Sequence, residues 1–204
     1  MKAKAAKGES WGRAQGRPSY DLMDTEDIAA LPVADLCHRD TLLFLWACGP
    51  KFEDAIQVMN AWGFQFITIP FTWAKLTPRA FDNWRKWQKQ GRTPEEIFAH
   101  LFHAGNGYYC MANAEFVLLG KRKGGKPKRV RKDVRSLVVA PVGRHSAKPP
   151  EVRARIERLL GSDKRYLELF ARPPVPEPWI GLGLEMSGLD IREELPRHLL
   201  SLGV

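Results

Sequence analysis

Cysteine is scarce and poorly placed for cross-linking: Cys37, Cys48 and Cys110 are odd in number, far apart and form no CxxC pair. That argues against a disulfide framework or a zinc cluster and fits a reducing, cytoplasmic compartment. No apolar run approaches the roughly 20 residues of a membrane span. The lysines near the N-terminus have no apolar segment behind them, so neither a membrane partner nor a secretory leader is expected. The first 20 residues carry almost no aliphatic side chains beyond alanine and read as a basic loop. Acid is missing where base is dense. Positions 121–135 hold nine basic residues and one acid, Asp133, which accounts for nearly all of the net charge of +9.

With 204 residues, 44% of them hydrophobic, the chain suits one substantial core rather than two domains. Its charge is a single patch. Lys121, Arg122, Lys123, Lys126, Lys128, Arg129, Arg131 and Lys132 suit a polyanion, because each phosphate they neutralise releases condensed counterions. Gly124, Gly125 and Pro127 predict a protruding turn between two strands, favouring nucleic acid over the plainer alternative of a solvated hairpin.

Periodicity gives the elements. Thr25 is placed to cap a short helix whose Ile28 and Leu31 face a core. The run LLFLW at 42–46 reads as a strand buried on both faces. Phe52, Ala55, Ile56, Met59 and Trp62 repeat at helical spacing and Gly63 follows as a left-handed stop. Residues 64–74 return as a strand, so 42–74 predicts a β-α-β unit and a sheet parallel in its core. An irregular basic insertion spans 76–107, with a short helix over 94–103. Strands at 116–120 and 137–140, a helix over 149–160, and strands at 166–170 and 179–182 complete the order. Residues 186–204 read as a peripheral tail.

Residues 144–185 pass from a lysine loop through an amphipathic helix to two short strands without slack. Open α/β sheets bind ligands outside the carboxyl ends of their strands, so Lys148, Glu168, Arg172 and Glu185 are placed to converge on one polar molecule. The blocks LLFLW, then WGF with FTWAK, then GNGYYCMANAEFVLLGKR with DVRSLVVAP, then HSAKPPEV through YLELFARP to WIGLGLE occur in this order over 20–185. Together they resemble the N(6)-adenine methyltransferases related to the messenger-RNA adenosine methyltransferase, in its bacterial and phage DNA-modifying branch. The resemblance implies a Rossmann-like, mostly parallel sheet with helices on both faces, circularly permuted. It implies S-adenosylmethionine as cofactor and the exocyclic amine of adenine as methyl acceptor.

By the same resemblance Lys148 meets the cofactor's methionine carboxylate, with Ser146 beside it, although Ser146 and His145 equally suit capping the next helix. Glu168 lies in an apolar strand and requires a partner, Lys148 or the cofactor's polar end. Arg172 and Glu185 match positions that reach the ribose, and Phe170 lines the adenine pocket; for Glu168 and Arg172 a structural ion pair, and for Phe170 plain core packing, is the alternative. Leu184 stands where relatives carry asparagine. Tyr108, Tyr109 and Asn113 fall where the family approaches the target base. Trp84 and Trp87 among Arg85, Lys86 and Lys89 suit either an aromatic-basic surface or packing against the sheet. His100, His103 and Cys110 lack a fourth ligand, so no metal is expected.

The sequence departs from the family in one respect: Asp-Pro-Pro-Trp, which presents the acceptor amine in relatives, occurs nowhere in it. No catalytic residue is therefore assigned. The chain is expected to begin at an internal methionine and to lack its first strand. Three readings follow: a DNA adenine methyltransferase, a non-catalytic nucleic-acid-binding relative or partner subunit, or a truncated and poorly folding fragment; pairing as a homodimer or pseudo-heterodimer is compatible with the first two.

Overall fold

A computed structural model describes residues 22–105, 109–144 and 146–203. In chain order the elements are α1 (Thr25–Ala29), β1 (Leu42–Ala47), α2 (Phe52–Ala61), β2 (Phe64–Leu76), α3 (Ala80–Lys89), α4 (Pro94–Leu101), β3 (Ala114–Arg122), β4 (Leu137–Pro141), α5 (Glu151–Leu160), β5 (Tyr166–Leu169), β6 (Trp179–Leu182), α6 (Leu184–Ser187) and α7 (Ile191–Ser201). No helix among them is long and apolar enough to cross a membrane.

The larger sheet has the order β1-β3-β2-β4, and β5 pairs with β6 in parallel as a second, two-stranded sheet. Strands β1, β2 and β4 share one direction, and β3 runs the other way between β1 and β2. The strand directions are thus mostly parallel, as expected, and the sheet is mixed at β3. The cause lies at the end of β2, where the excursion after Leu76 returns to its point of departure: the His103 amide donates to the Lys75 carbonyl at 2.8 Å. A chain that re-enters at the sheet end it left can only run back antiparallel.

Helices cover both faces. On one, Val58, Met59 and Trp62 of α2 and its cap join Phe64, Leu118, Leu182, Ile191 and Leu195, with Leu43, Leu45, Leu167 and Leu169 packed against them. On the other, Val152 and Ile156 of α5 meet Phe71, Trp73, Val117, Val138 and Tyr166, with Phe44, Trp46 and Trp179 alongside. The alternation along β1, leucines to one face and aromatics to the other, is the period-2 pattern of a strand with two covered faces. Both sheets contribute to both clusters, yet β1, β4, β5 and β6 each keep one edge with no strand partner among the described residues.

Two local expectations change. Asp24, not Thr25, is the N-cap of α1, and the Thr25 hydroxyl instead donates to Asp54 of α2 at 3.1 Å. The stretch after Glu185 is not peripheral: α7 inserts Ile191 and Leu195 into the first cluster, Leu195 with no exposed surface. Gly63 ends α2 with φ 78° as expected. Leu195→Ala should cost about 2–5 kcal/mol through lost burial and the cavity left behind, read as a lower urea midpoint. An unchanged midpoint would return the tail to the periphery.

Candidate cofactor and nucleic-acid sites

At the carboxyl ends of β1, β2 and β4 the sheet carries charge among aromatics. Glu115, second residue of β3, accepts from Lys75 Nζ at 2.6 Å through Oε1 and from Lys148 Nζ at 2.7 Å through Oε2. Its side chain keeps only 15% of its surface exposed, so the carboxylate depends on both cations. Burial pushes the Glu115 carboxyl up, but the Lys148 and Lys75 ammonium groups outweigh burial and hold it below the usual carboxylate range. Lys148 Nζ also lies 5.6 Å from the Trp46 ring centre, and Lys75 Nζ 5.3 Å from that of Trp73. The two indoles meet edge to face at 6.2 Å, and Trp73 Nε1 is anchored on the Ala140 carbonyl at 2.9 Å.

Lys148 is thus held at the sheet end as a positioned ammonium, but not by Glu168. Glu168 takes Arg153 of α5 instead, Nε to Oε2 at 2.6 Å and Nη2 to Oε1 at 3.1 Å, a forked pair that also reaches the Pro174 carbonyl at 3.2 Å. The need for a partner was legible; its identity was not, because Arg153 reaches Glu168 from the helix laid across that face.

The ends of β5 and β6 form a second group. Arg172 Nε and Glu185 Oε1 are 2.9 Å apart, bringing together two residues expected on the ribose. Phe170 stands between them and the strand, 45% exposed, with left-handed backbone at φ 56°. Gly183 approaches it so closely that a Cβ there would come within 2.9 Å of Phe170 Cα, and its φ of 144° is costly for any other residue. Ser146, with φ 62°, is the other non-glycine residue of left-handed conformation among those described. Both are thus cofactor candidates from the sequence, and strain of this kind gathers at ligand clamps.

Asn113 is exposed, and its carbonyl accepts from the Lys75 amide at 2.8 Å. Tyr109 lies in the loop closed by the Gly105–Ala112 bridge, 94% exposed. Tyr108 lies outside the described residues.

The basic run does not protrude freely between adjacent strands, since β3 and β4 are not neighbours. Its Val130 amide docks on the Leu159 carbonyl of α5 at 2.8 Å, and Asp133 binds Arg131 at 2.7 Å and Arg158 at 2.6 Å. Arg122 donates to the Ala34 carbonyl at 3.0 Å and is tied into the fold. Lys123, Lys126, Lys128, Arg129 and Lys132 face water, whereas Lys121 is half-buried in β3. The surface remains cationic, laid along the body instead of projecting from it.

Comparison with known proteins agrees with this architecture. The MT-A70 family pattern matches residues 5–185, and the chain belongs to that family. It is 28% identical over 178 residues to the Type II methyltransferase M.MunI of Mycoplasma sp, covering 87% of this chain and 63% of that protein. It is 29% identical over 174 residues to the human N(6)-adenosine-methyltransferase catalytic subunit METTL3, covering 84% of this chain and 26% of that protein. The Drosophila melanogaster MT-A70-like protein is 28% identical, covering 83% and 24%. The chain therefore spans under two thirds of the length of these relatives. Methyltransferases of this family take their methyl group from S-adenosylmethionine. The donor set at the two sheet ends fits that molecule: ammonium and guanidinium groups for its carboxylate and hydroxyls, a carboxylate for its ribose, and a half-exposed ring for its base.

Glu115→Gln should lose about 1.5–3 kcal/mol at neutral pH, the worth of hydrogen bonds to a charged group. Because the folded-state pKa is lowered, wild type loses this advantage as pH falls from the ordinary 4.5 through the folded value. Urea denaturation at neutral pH and below pH 4.5 checks it; a gap between wild type and variant that persists in acid would contradict the charge pairing.

Proposed function

We propose that this chain works as an S-adenosylmethionine-dependent methyltransferase acting on the N(6) amine of adenine in DNA. The observation that carries the reading is the position of the two left-handed non-glycine residues among those described. Ser146 lies two residues before Lys148 and Phe170 two residues before Arg172, in the loops after β4 and β5. For the choice of DNA the support is the wide match to a Type II methyltransferase.

In this reading S-adenosylmethionine, when bound, supplies an electrophilic sulfonium methyl. Lys148 holds the carboxylate, already oriented by Glu115 and Trp46. Arg172 and Glu185 take the ribose, and Phe170 packs on the adenine of the cofactor. An adenine amine is a weak nucleophile because its lone pair is delocalised into the ring, so rate depends on alignment. A target in duplex must first leave the stack. Tyr109 and Asn113 stand in the segment that meets it, and the exposed lysines from Lys123 to Lys132 take phosphates.

The missing Asp-Pro-Pro-Trp favours a second reading, a relative that binds nucleic acid without transferring methyl. Isothermal titration with S-adenosylmethionine separates the two. Binding is expected, weakened about 10- to 100-fold in Lys148→Ala and in Arg172→Ala, the loss of one charge-assisted contact. Mass spectrometry should find N(6)-methyladenine in a DNA oligonucleotide. Absence of cofactor binding, with salt-sensitive DNA binding intact, would install the second reading.

A further inference from the structure

Residues 77–112 leave the sheet and return to it at one point. The Lys75 carbonyl accepts from His103 and the Lys75 amide donates to Asn113, both at 2.8 Å, while Leu76 and Phe102 form an isolated antiparallel bridge. Lys75 is one arm of the Glu115 cluster, so the excursion is rooted beside the candidate crevice. It carries its own small core of Leu76, Ala80 and Leu101, with Trp84, Trp87 and Phe102 packed against them. Trp84 meets Phe98 edge to face at 5.5 Å, and Arg92 lies over Trp87 at 5.4 Å. A capping box on Thr93 and Glu96 fixes the start of α4.

A helix pair serving only to cap the sheet would turn its large apolar groups inward. Instead Phe81 of α3 is 56% exposed, while Phe98 of α4, 49% exposed, is stacked on Phe102 and met by Trp84. Phe81, Arg85, Gln88 and Lys89 follow one another at i, i+4, i+7 and i+8, so they share the outer face of α3, and all four are exposed. Positions 79–92, α3 and its flanks, hold five basic residues with Asp82 as the single acid, whereas α4 opens with Glu95 and Glu96, so the cationic face belongs to α3. A ring in water flanked by cations suits a polyanion that also offers flat apolar surfaces, which describes an unpaired polynucleotide strand. A duplex keeps those surfaces stacked inside itself.

We propose that the outer face of α3 is a docking surface for a single DNA strand beside the target adenine. Bases stack on Phe81, and Arg85 and Lys89 take phosphates. The proposal rests on the reading of the chain as an adenine methyltransferase, and it assigns strand contact to a surface separate from the basic run along α5.

The test is fluorescence anisotropy of labelled single-stranded DNA, single-stranded RNA and duplex DNA with the full chain, each variant first shown to be folded by circular dichroism. Phe81→Ala should weaken binding of the DNA strand about tenfold, the loss of one stacked base. Arg85→Gln combined with Lys89→Gln should make the dependence of log Kd on log salt shallower by about 1 to 1.5, two phosphate contacts fewer. Neither change should alter S-adenosylmethionine affinity. Wild-type strength and slope in both variants, or tighter wild-type binding of duplex or RNA, would overturn the proposal. A wild type that binds the strand this way yet neither binds cofactor nor methylates adenine would keep the surface and remove the enzymatic reading. One that methylates adenine while both variants bind and methylate as it does would remove the surface alone.

Discussion

Three separate stretches of chain meet on one carboxylate. Glu115 on β3 ties Lys75 near the end of β2 to Lys148 in the loop before α5, at 2.6 and 2.7 Å. A charge this enclosed is tolerated only when paired, and here each ammonium is also faced by an indole. The pairing therefore fixes more than one side chain: it sets where β3 begins, where the excursion of 77–112 is rooted, and how the Lys148 loop leaves β4. A positioned cation at the carboxyl ends of strands is what an α/β crevice needs for an anionic ligand.

The remaining half of the crevice depends on apolar packing. The β5–β6 pair carries no hydrogen bond to the larger sheet as a ladder, yet Leu167 and Leu169 lie in the α2–α7 cluster and Tyr166 in the α5 cluster. Helices packed on both faces thus hold the two sheets in one layer. Arg153, bound to Glu168, adds a polar link from α5 to β5. Because α5 joins β4 to β5 through short loops, the Lys148 loop and the Phe170–Arg172 turn are placed by the two ends of one β-α-β connection.

Local pattern was enough for most of the elements, though not for α3, expected as irregular chain, or for α7, expected as tail. The leucine-aromatic alternation of β1, the helical spacing from Phe52 to Trp62 and the glycine stop at Gly63 all appear where periodicity placed them. Pairing was less legible, since nothing in residues 64–74 states that the excursion after them will return to the same sheet end and insert β3. The Glu115 cluster was missed although a signal existed. Lys75 in FTWAKL and Glu115 in ANAEFVLLG are charges within apolar strands, the same anomaly that marked Glu168 as needing a partner. Sequence distance hid the match: the pair spans 40 positions. In the basic run, composition gave the charge, but the docking of Val130 on Leu159 and of Asp133 between two arginines is tertiary.

In the proposed reading, cofactor and acceptor functions divide along the chain, and the geometry supports that division. The strained turns at Ser146 and Phe170 and the close approach of Gly183 to Phe170 fall between β4 and α6, where one β-α-β connection and a following strand set every backbone position. Precision of that kind suits a ligand of fixed shape. The segment the proposal assigns to the acceptor follows β2 and is joined to the sheet at Lys75 and Leu76, the latter also anchoring the small core with Ala80 and Leu101. A nucleic-acid strand varies in sequence and curvature, so a semi-independent module is a better match to it than the rigid sheet end. Lys75, paired with Glu115 while its backbone anchors both ends of the excursion, is the residue through which the two regions share one frame.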